Sequence, residues 1–136
     1  MTLAASWALQ QAVHAALVGD AALSALVGGR IYDRPPDDVA FPYVTLGDTE
    51  VLAAGTGSAD AARHRLDLAV WSRAKGRREA KEVMSAVHAV LHEAAWPLSG
   101  HVLVDCRFER ASLSYAAEAD ALRGLMRFRA YTETPA

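Results

Sequence analysis

The stretch RHRLDLAVWS, at positions 63–72, decides the fold because its polarity alternates from one residue to the next. The side chains of Leu66, Leu68 and Val70 point one way along an extended chain, and the residues between them point the other way. This period of two is typical of a half-buried strand. The stretch therefore predicts a β-strand with one apolar face and one polar face.

Three other long stretches also predict strands. Tyr43 to Leu52 is rich in β-branched and aromatic residues, and Arg123 to Thr132 alternates in the same way as 63–72. In His101 to Glu109 the predicted core residues are Val102, Val104, Cys106 and Phe108, and the outward residues are Leu103, Asp105, Arg107 and Glu109. Arg30 to Asp33 predicts a short strand, while Ala111 to Leu122 shows no pattern that assigns it.

Helical periodicity marks both sides of the strand region. Apolar residues at intervals of three and four predict a helix from about Leu3 to Val18 and a longer one from Gly76 to Ala95, which Pro97 prevents from continuing. Between the first helix and the strands, Asp20 can cap a short helix that Gly28 and Gly29 terminate. Gly76 is the candidate cap of the long helix.

These elements predict an α+β fold in which residues 1–136 form a single domain. The sheet is expected to be mainly antiparallel, with about four to five strands, and two long helices are expected to cover one face. Its other face combines charges of both signs with large apolar residues such as Leu103 and Tyr131. Because such residues are costly to leave wet, a partner surface is expected to cover this face.

The composition excludes several classes of function. Hydrophobic residues make up 52% and charged residues 22%, as in a folded globular chain, and the net charge of -2 leaves no basic excess for nucleic-acid binding. Cys106 is the single cysteine, which excludes an intrachain disulfide and any multi-cysteine metal site. With no signal-peptide pattern and no membrane-spanning stretch, we expect a soluble protein made in the cytoplasm.

No motif for chemistry is present, so the sequence predicts no enzyme, no catalytic residue, no cofactor and no metal site. His88 and His92 have a spacing that can direct two imidazoles at one metal, but no third ligand accompanies them. The carboxylates of Asp37 and Asp38 are interpreted as a solvated turn. Cys106 falls on the predicted core face, where a thiol is a small hydrophobe.

The whole order of features resembles the tail-completion, or tail-terminator, family of long-tailed bacteriophages and gene transfer agents. The resemblance covers nearly the whole chain but has no catalytic motif. It is carried by Leu9-Gln10 with Val13 and Leu17, by residues 26–33, by Pro42-Tyr43-Val44 with Gly47, by Val70-Trp71-Ser72 with Gly76 and Glu79-Ala80, and by Arg123-Gly124.

The resemblance implies a homo-oligomeric ring, typically a hexamer, that caps the completed tail tube, stops its polymerisation and forms the tail-side surface for head attachment. Its partners would be other copies of itself, the tail tube protein and a head-side connector or stopper protein. DNA would pass through the channel without specific binding, and no membrane would be involved. Assembly would take place in the bacterial cytoplasm, and the finished protein would lie in the tail of the particle.

On this reading the outward sheet face is the candidate subunit interface. The glycine-rich loop between the second and third strands, Ala53 to Asp60, is the candidate contact with the tail tube, because small polar segments can become ordered against a partner. The interface residues are Arg65, Asp67, Trp71, Asp105, Arg107, Arg127 and Arg129, and the loop residues are Gly55, Thr56, Gly57 and Ser58.

Two other functions stay open at this stage. A head-to-tail connector or another minor tail component would have the same small size and the same lack of chemistry. A small enzyme with dispersed site residues is the less favoured alternative, because a single sequence reveals such sites poorly.

Overall fold

The computed structural model describes residues 2–54 and 60–135. Within these residues the helices are α1 (Thr2–Val18), α2 (Ala21–Val27) and α3 (Arg78–Leu91). The strands are β1 (Ile31–Tyr32), β2 (Tyr43–Ala53), β3 (Ala61–Ser72), β4 (Pro97–Leu98), β5 (His101–Ala116) and β6 (Ala121–Glu133).

The strands form one mixed sheet in the order β1-β2-β3-β6-β5-β4. Only β1 and β2 run parallel, so the prediction of a mainly antiparallel α+β fold is confirmed. The described chain has six strands, whereas about four to five were predicted, and three helices, of which α1 and α3 are the two long ones. The additional strand, β4, pairs through Pro97 and Leu98 alone, which is too short to leave a periodic pattern.

The helices pack on one face of the sheet, as predicted. Leu9, Val13 and Leu17 of α1 join one apolar cluster with residues of α2, α3 and the long strands. The strand residues Leu66, Leu68, Val70, Met126 and Phe128 belong to the same cluster. Among the residues with assigned structure, no helix is long and apolar enough to cross a membrane.

The helix ends agree with the sequence at α2 and differ from it at α3. The Asp20 carboxylate accepts a hydrogen bond from the Leu23 amide at 2.9 Å, and Gly28 takes the left-handed conformation that ends α2. The predicted cap Gly76 lies outside α3, which starts at Arg78 after an N-cap, Arg77, whose side chain makes no capping hydrogen bond. The C-terminal end also comes earlier than predicted, at Leu91, well before Pro97.

The face assignment of Val102, Leu103 and Val104 on β5 was wrong. Leu103 is buried, whereas Val102 and Val104 are 44% and 49% exposed. The register of β5 against β6 shifts between Leu103 and Asp105, and an extra residue in one strand exchanges its two faces. Cys106 remains on the buried side, as predicted, and Phe108 packs partly buried against the core.

The segment 111–122, which the pattern left unassigned, continues β5, forms a tight turn and starts β6. A second register shift lies between Phe108 and Arg110, and most residues from Glu109 to Tyr115 are exposed. Because both faces of this end of β5 are exposed to solvent, its sequence does not alternate between apolar and polar residues. Residues 109–115 of β5 therefore extend beyond the part of the sheet that the helices cover.

Candidate interaction surface on the open sheet face

The sheet face opposite the helices, called the open face here, carries a broad shallow depression of about 440 Å³. Five of the seven predicted interface residues line it, because odd-numbered positions of β3 and matching positions of β5 and β6 point away from the helices. These five are Arg65, Asp105, Arg107, Arg127 and Arg129. Tyr131, also predicted on this face, lines the depression as well.

Asp67 is held directly beside the depression by two arginines. Its carboxylate accepts a hydrogen bond from Nε of Arg127 on the neighbouring strand at 2.9 Å, and Nε of Arg65 lies 3.7 Å from it. Asp67 and Arg127 occupy directly opposed positions of β3 and β6, which explains their pairing. The hydrogen bond from Arg127 to Asp67 raises the pKa of this guanidinium, so it remains charged at any ordinary pH.

A second group of charges lies on the β5 side of the depression. Nε of Arg107 donates to the Asp105 carboxylate at 2.7 Å, and a carboxylate oxygen of Glu93, just after α3, lies 3.7 Å from Nη1 of Arg107. The hydrogen bond to Asp105 raises the pKa of Arg107. Arg129 pairs with Glu109, which reaches it across the second register shift of β5.

Three acidic residues of this network were not among the predicted interface residues. Glu50 of β2 lies 3.9 Å from Arg65, and Glu93 and Glu109 reach Arg107 and Arg129 as described above. Glu50 lies opposite Arg65 only because the β2–β3 register shifts between Leu46 and Thr49, so the alternation of β2 from Tyr43 onward would not have placed it on this face. Glu93 lies just after the end of α3, which no sequence period relates to the sheet. The alternation of β5 placed Glu109 on the outward face, but its pairing with Arg129 depends on the second register shift.

The ion-paired residues described above are called the ionic group here. Trp71 shares the open face with them but lies apart from them, nearer the other end of β3. Its ring stacks on Tyr43 of the opposed β2 position with centroids 6.0 Å apart, and its indole Nε1 donates to Oγ1 of Thr45 at 3.0 Å. Arg123 lies over the same ring at 5.9 Å. The structure therefore divides the predicted interface into an ionic group and an aromatic group.

His64 lies beneath the ionic group on the helix-covered side and is 2% exposed. Its Nε2 is 2.8 Å from Oγ1 of Thr132 on β6, and its Nδ1 has no hydrogen-bond partner among the residues described. Burial, with a smaller contribution from His101, lowers the pKa of His64 below its ordinary value. The imidazole is therefore kept neutral inside the protein near neutral pH.

The predicted tail-tube loop, Gly55, Thr56, Gly57 and Ser58, lies outside the described residues. The residues on either side of it are anchored: the amide of Ala54 donates to the carbonyl of Ala61 at 2.9 Å, and the carbonyl of Asp60 accepts from the amide of Thr134 at 3.2 Å.

The histidine and cysteine side chains considered above for metal binding or catalysis are packed or hydrogen-bonded within the fold. His88 and His92 stack with ring centroids 4.9 Å apart, and Nδ1 of His92 accepts a hydrogen bond from the Phe108 amide at 3.0 Å. Burial raises the pKa of the Cys106 thiol to about 12, which keeps it protonated. Within residues 2–54 and 60–135, no three histidine, cysteine, aspartate or glutamate side chains come together as a metal site would require.

The arrangement is therefore one of paired charges and stacked rings on an uncovered sheet. Each arginine of the ionic group has a carboxylate partner, so the surface can exchange ion pairs with a second protein surface without presenting one dominant sign.

Comparisons with known proteins identify the family of the chain. The family model described as "Tail completion protein gp17" matches residues 11–133. A chain in the virion of a native gene transfer agent particle is 38% identical, with a TM-score of 0.88, and the match covers 94% of this chain and 96% of that one. The gp17 protein of bacteriophage SPP1 is 25% identical with a TM-score of 0.60, covering 97% and 91%.

No curated protein sequence matches the chain. The family match nevertheless spans most of its length, and both structural relatives come from phage or phage-like particles. A component of such a tail has other tail or head proteins as its neighbours. The chain therefore belongs to the tail completion protein gp17 family and is a structural component of a phage-like tail, not an enzyme.

Proposed function

We propose that the protein caps the completed tail tube as a ring of identical subunits, stops tube polymerisation and forms the tail-side surface to which the head attaches. The observation that carries this proposal is the open face, where a network of partly exposed ion pairs and an aromatic group lie uncovered in the single chain. A monomeric protein has little use for such a surface, whereas an assembly protein needs one.

A closed ring requires that one surface of each subunit fit a different surface of the next subunit. The open face supplies part of this subunit interface, through Arg65, Asp67, Trp71, Asp105, Arg107, Arg127 and Arg129. Arginine and tryptophan are the side chains that most often dominate the energy of protein interfaces. The proposed ring is a hexamer.

The remaining contacts are assigned by position. The segment Gly55-Thr56-Gly57-Ser58, between β2 and β3 in the sequence, is the proposed contact with the tail tube protein. The head-side connector or stopper protein would bind the opposite side of the ring. DNA would pass through the channel without specific binding, in keeping with a net charge of -2 and with arginines that are already paired. Subunits would assemble in the bacterial cytoplasm before joining the particle.

Electron microscopy of particles made without the protein tests the proposal. A missing terminator leaves the tube free to grow, so tails longer than normal are expected, and supplying the wild-type chain should restore their length. A chain with the exposed helix substitution Arg78→Glu serves as the matched control and should restore length equally well. Tails of normal length beside heads without tails would contradict termination and assign the chain to the head-to-tail connection.

A further inference from the structure

The sheet has two free edges, one at each margin. On one margin β1 covers β2 only at Val44 and Thr45, so the stretch from Leu46 to Ala53 has no strand beside it in the described part of the chain. On the other margin β4 covers only the start of β5, and the stretch from Arg110 to Ala116 lacks a neighbour in the same sense. Each edge presents backbone N–H and C=O groups to solvent.

The chain blocks part of the β5 edge and leaves the rest open. At the blocked part, the Glu93 amide donates to the Cys106 carbonyl at 2.6 Å and the His92 ring accepts from the Phe108 amide. Beyond it, Ala111 to Ala116 contains no proline, no charged residue and no bulge, although these are the usual devices that prevent edge pairing. An unprotected edge of this length is expected in a protein whose edge is paired in its working state.

The two edges have the strand directions that pairing between copies requires. β2 and β3, β3 and β6, and β6 and β5 are each antiparallel, so β2 and β5 run in opposite directions. A rotation about an axis near the strand direction carries one subunit onto the next without reversing its strands. The β5 edge of one copy then meets the β2 edge of the next copy in antiparallel orientation.

The offset of the two edges along the strand direction is compatible with a closed ring of subunits. The middle of the β2 edge, Glu50, lies level with Arg65, and the middle of the β5 edge, Leu113, lies level with Val70 through Gly124. These levels differ by about five residues, or about 17 Å along the strands. Each subunit adds four strand spacings to the wall, counting the junction with the next subunit, and these measure about 19 Å together. Joining the edges therefore tilts the strands by about 40°, and strands in closed barrels tilt by about 35–45°.

We propose that adjacent subunits are joined by antiparallel pairing of the β5 edge, residues 110–116, with the β2 edge beyond its bulge, residues 49–53, of a second copy of this chain. The sheets of all subunits then form one continuous closed wall with the helices on one side and the open face on the other. This inference rests on the proposed ring and identifies the backbone contact that closes it.

Disulfide trapping between copies tests the pairing. Ser112 lies on the open face of β5, and Glu50 and Leu52 lie on the same face of β2, so the double variants Ser112→Cys/Glu50→Cys and Ser112→Cys/Leu52→Cys sample neighbouring registers. Within one chain β3 and β6 separate the two cysteines by about 14 Å, too far for an intrachain bond. Oxidation of assembled protein, in solution or in isolated tails, should give a ladder of covalent oligomers in one of the two variants.

The control is Ser112→Cys/Arg78→Cys, in which the second cysteine lies on an exposed helix position away from the β2 edge. It should give no ladder beyond random dimers. In parallel, hydrogen exchange of the wild-type amides of residues 110–116 should slow at least tenfold when the protein assembles, because pairing protects them from solvent.

The outcomes separate this inference from the function on which it rests. Closed rings that give no ladder in either variant and no slowing of exchange would overturn the edge pairing and leave the ring intact. Absence of rings both in solution and in isolated tails would overturn the two together. A ladder confined to the edge variants, with protection of residues 110–116, supports the pairing.

Discussion

The helix-covered face and the open face of the β3–β6 pair are built from alternate residues of the same two strands, yet they are stabilised in different ways. On the covered face, Leu68, Val70 and Phe128 are excluded from water by helices of the same chain. On the open face, Asp67 and Arg127 form an ion pair with each other while both side chains stay partly exposed to solvent. The comparison indicates that the first face is stabilised by contacts within the chain, whereas the second is the face proposed to meet a partner.

The largest expected effect is on the covered face. Phe128 is fully buried against Phe108, with ring centroids 5.6 Å apart, so Phe128→Ala should lower the free energy of unfolding by about 3–5 kcal/mol. Urea denaturation measures the loss. The matched control is Leu125→Ala on the open face, where the side chain is 43% exposed and the expected change is within about 0.5 kcal/mol. Equal losses at the two positions would remove the distinction between the faces.

A smaller loss is expected where Met84 of α3 packs over Gly124 of β6. A Cβ on Gly124 would lie 2.5 Å from Sδ of Met84, so Gly124→Ala should destabilise the protein by about 1–3 kcal/mol through overpacking. Truncating Met84 to alanine costs stability by itself but removes the clash. The two changes should therefore be less than additive in a double-mutant cycle, and strict additivity would contradict this contact.

His64 provides a test of the covered face that depends on pH. Because the pKa of His64 is lowered in the folded protein, the unfolded chain takes up its proton first as the pH falls below about 6.5. The unfolded state then binds more protons than the native state, and stability falls with falling pH until the native pKa is reached. Denaturation at pH 7.5 and 5.5 should show this loss in the wild type and a smaller loss in His64→Gln.

A second variant, His101→Gln, serves as the comparison because His101 contributes to the lowered pKa of His64. It removes only the minor electrostatic contribution to His64, and most of the pH dependence should persist. If His64→Gln retained the full dependence, the buried imidazole would not be its source.

The smallest effect on stability, and the one that addresses assembly, is expected on the open face. The side chains of Arg107 and Arg129 are 60% and 72% exposed, so the double variant Arg107→Glu/Arg129→Glu should fold and unfold nearly as the wild type does. It should weaken self-association, because it places new negative charges beside Asp105 and Glu109. Light scattering measures the oligomer mass, and an unchanged mass would remove this face from the interface.

The control for this experiment is Arg78→Glu, which reverses a charge on α3 at a side chain that is 92% exposed and lies away from the open face. The oligomer mass should be unchanged in this variant. A similar loss in both variants would indicate a general effect of net charge and not a contact made by the open face.

The sequence determined the elements whose period runs unbroken. The alternation of 63–72 and of 123–132 identified β3 and β6 with their correct faces, and the spacing of Leu9, Val13 and Leu17 identified α1. Period and burial agree there because each strand keeps one register along its length. The same alternation also predicted which charged residues share the open face.

Tertiary structure alone decided the rest. The register shift of β5 between Leu103 and Asp105 exchanged the faces of Val102, Leu103 and Val104, and a bulge cannot be identified from a strand without its partner. The partners of Arg107 and Arg129, Glu93 and Glu109, come together only when the end of α3 and the shifted strand have been placed. Sequence periodicity fixes which way a side chain points within its own element, whereas the neighbours it meets depend on register and packing, which are properties of the folded chain.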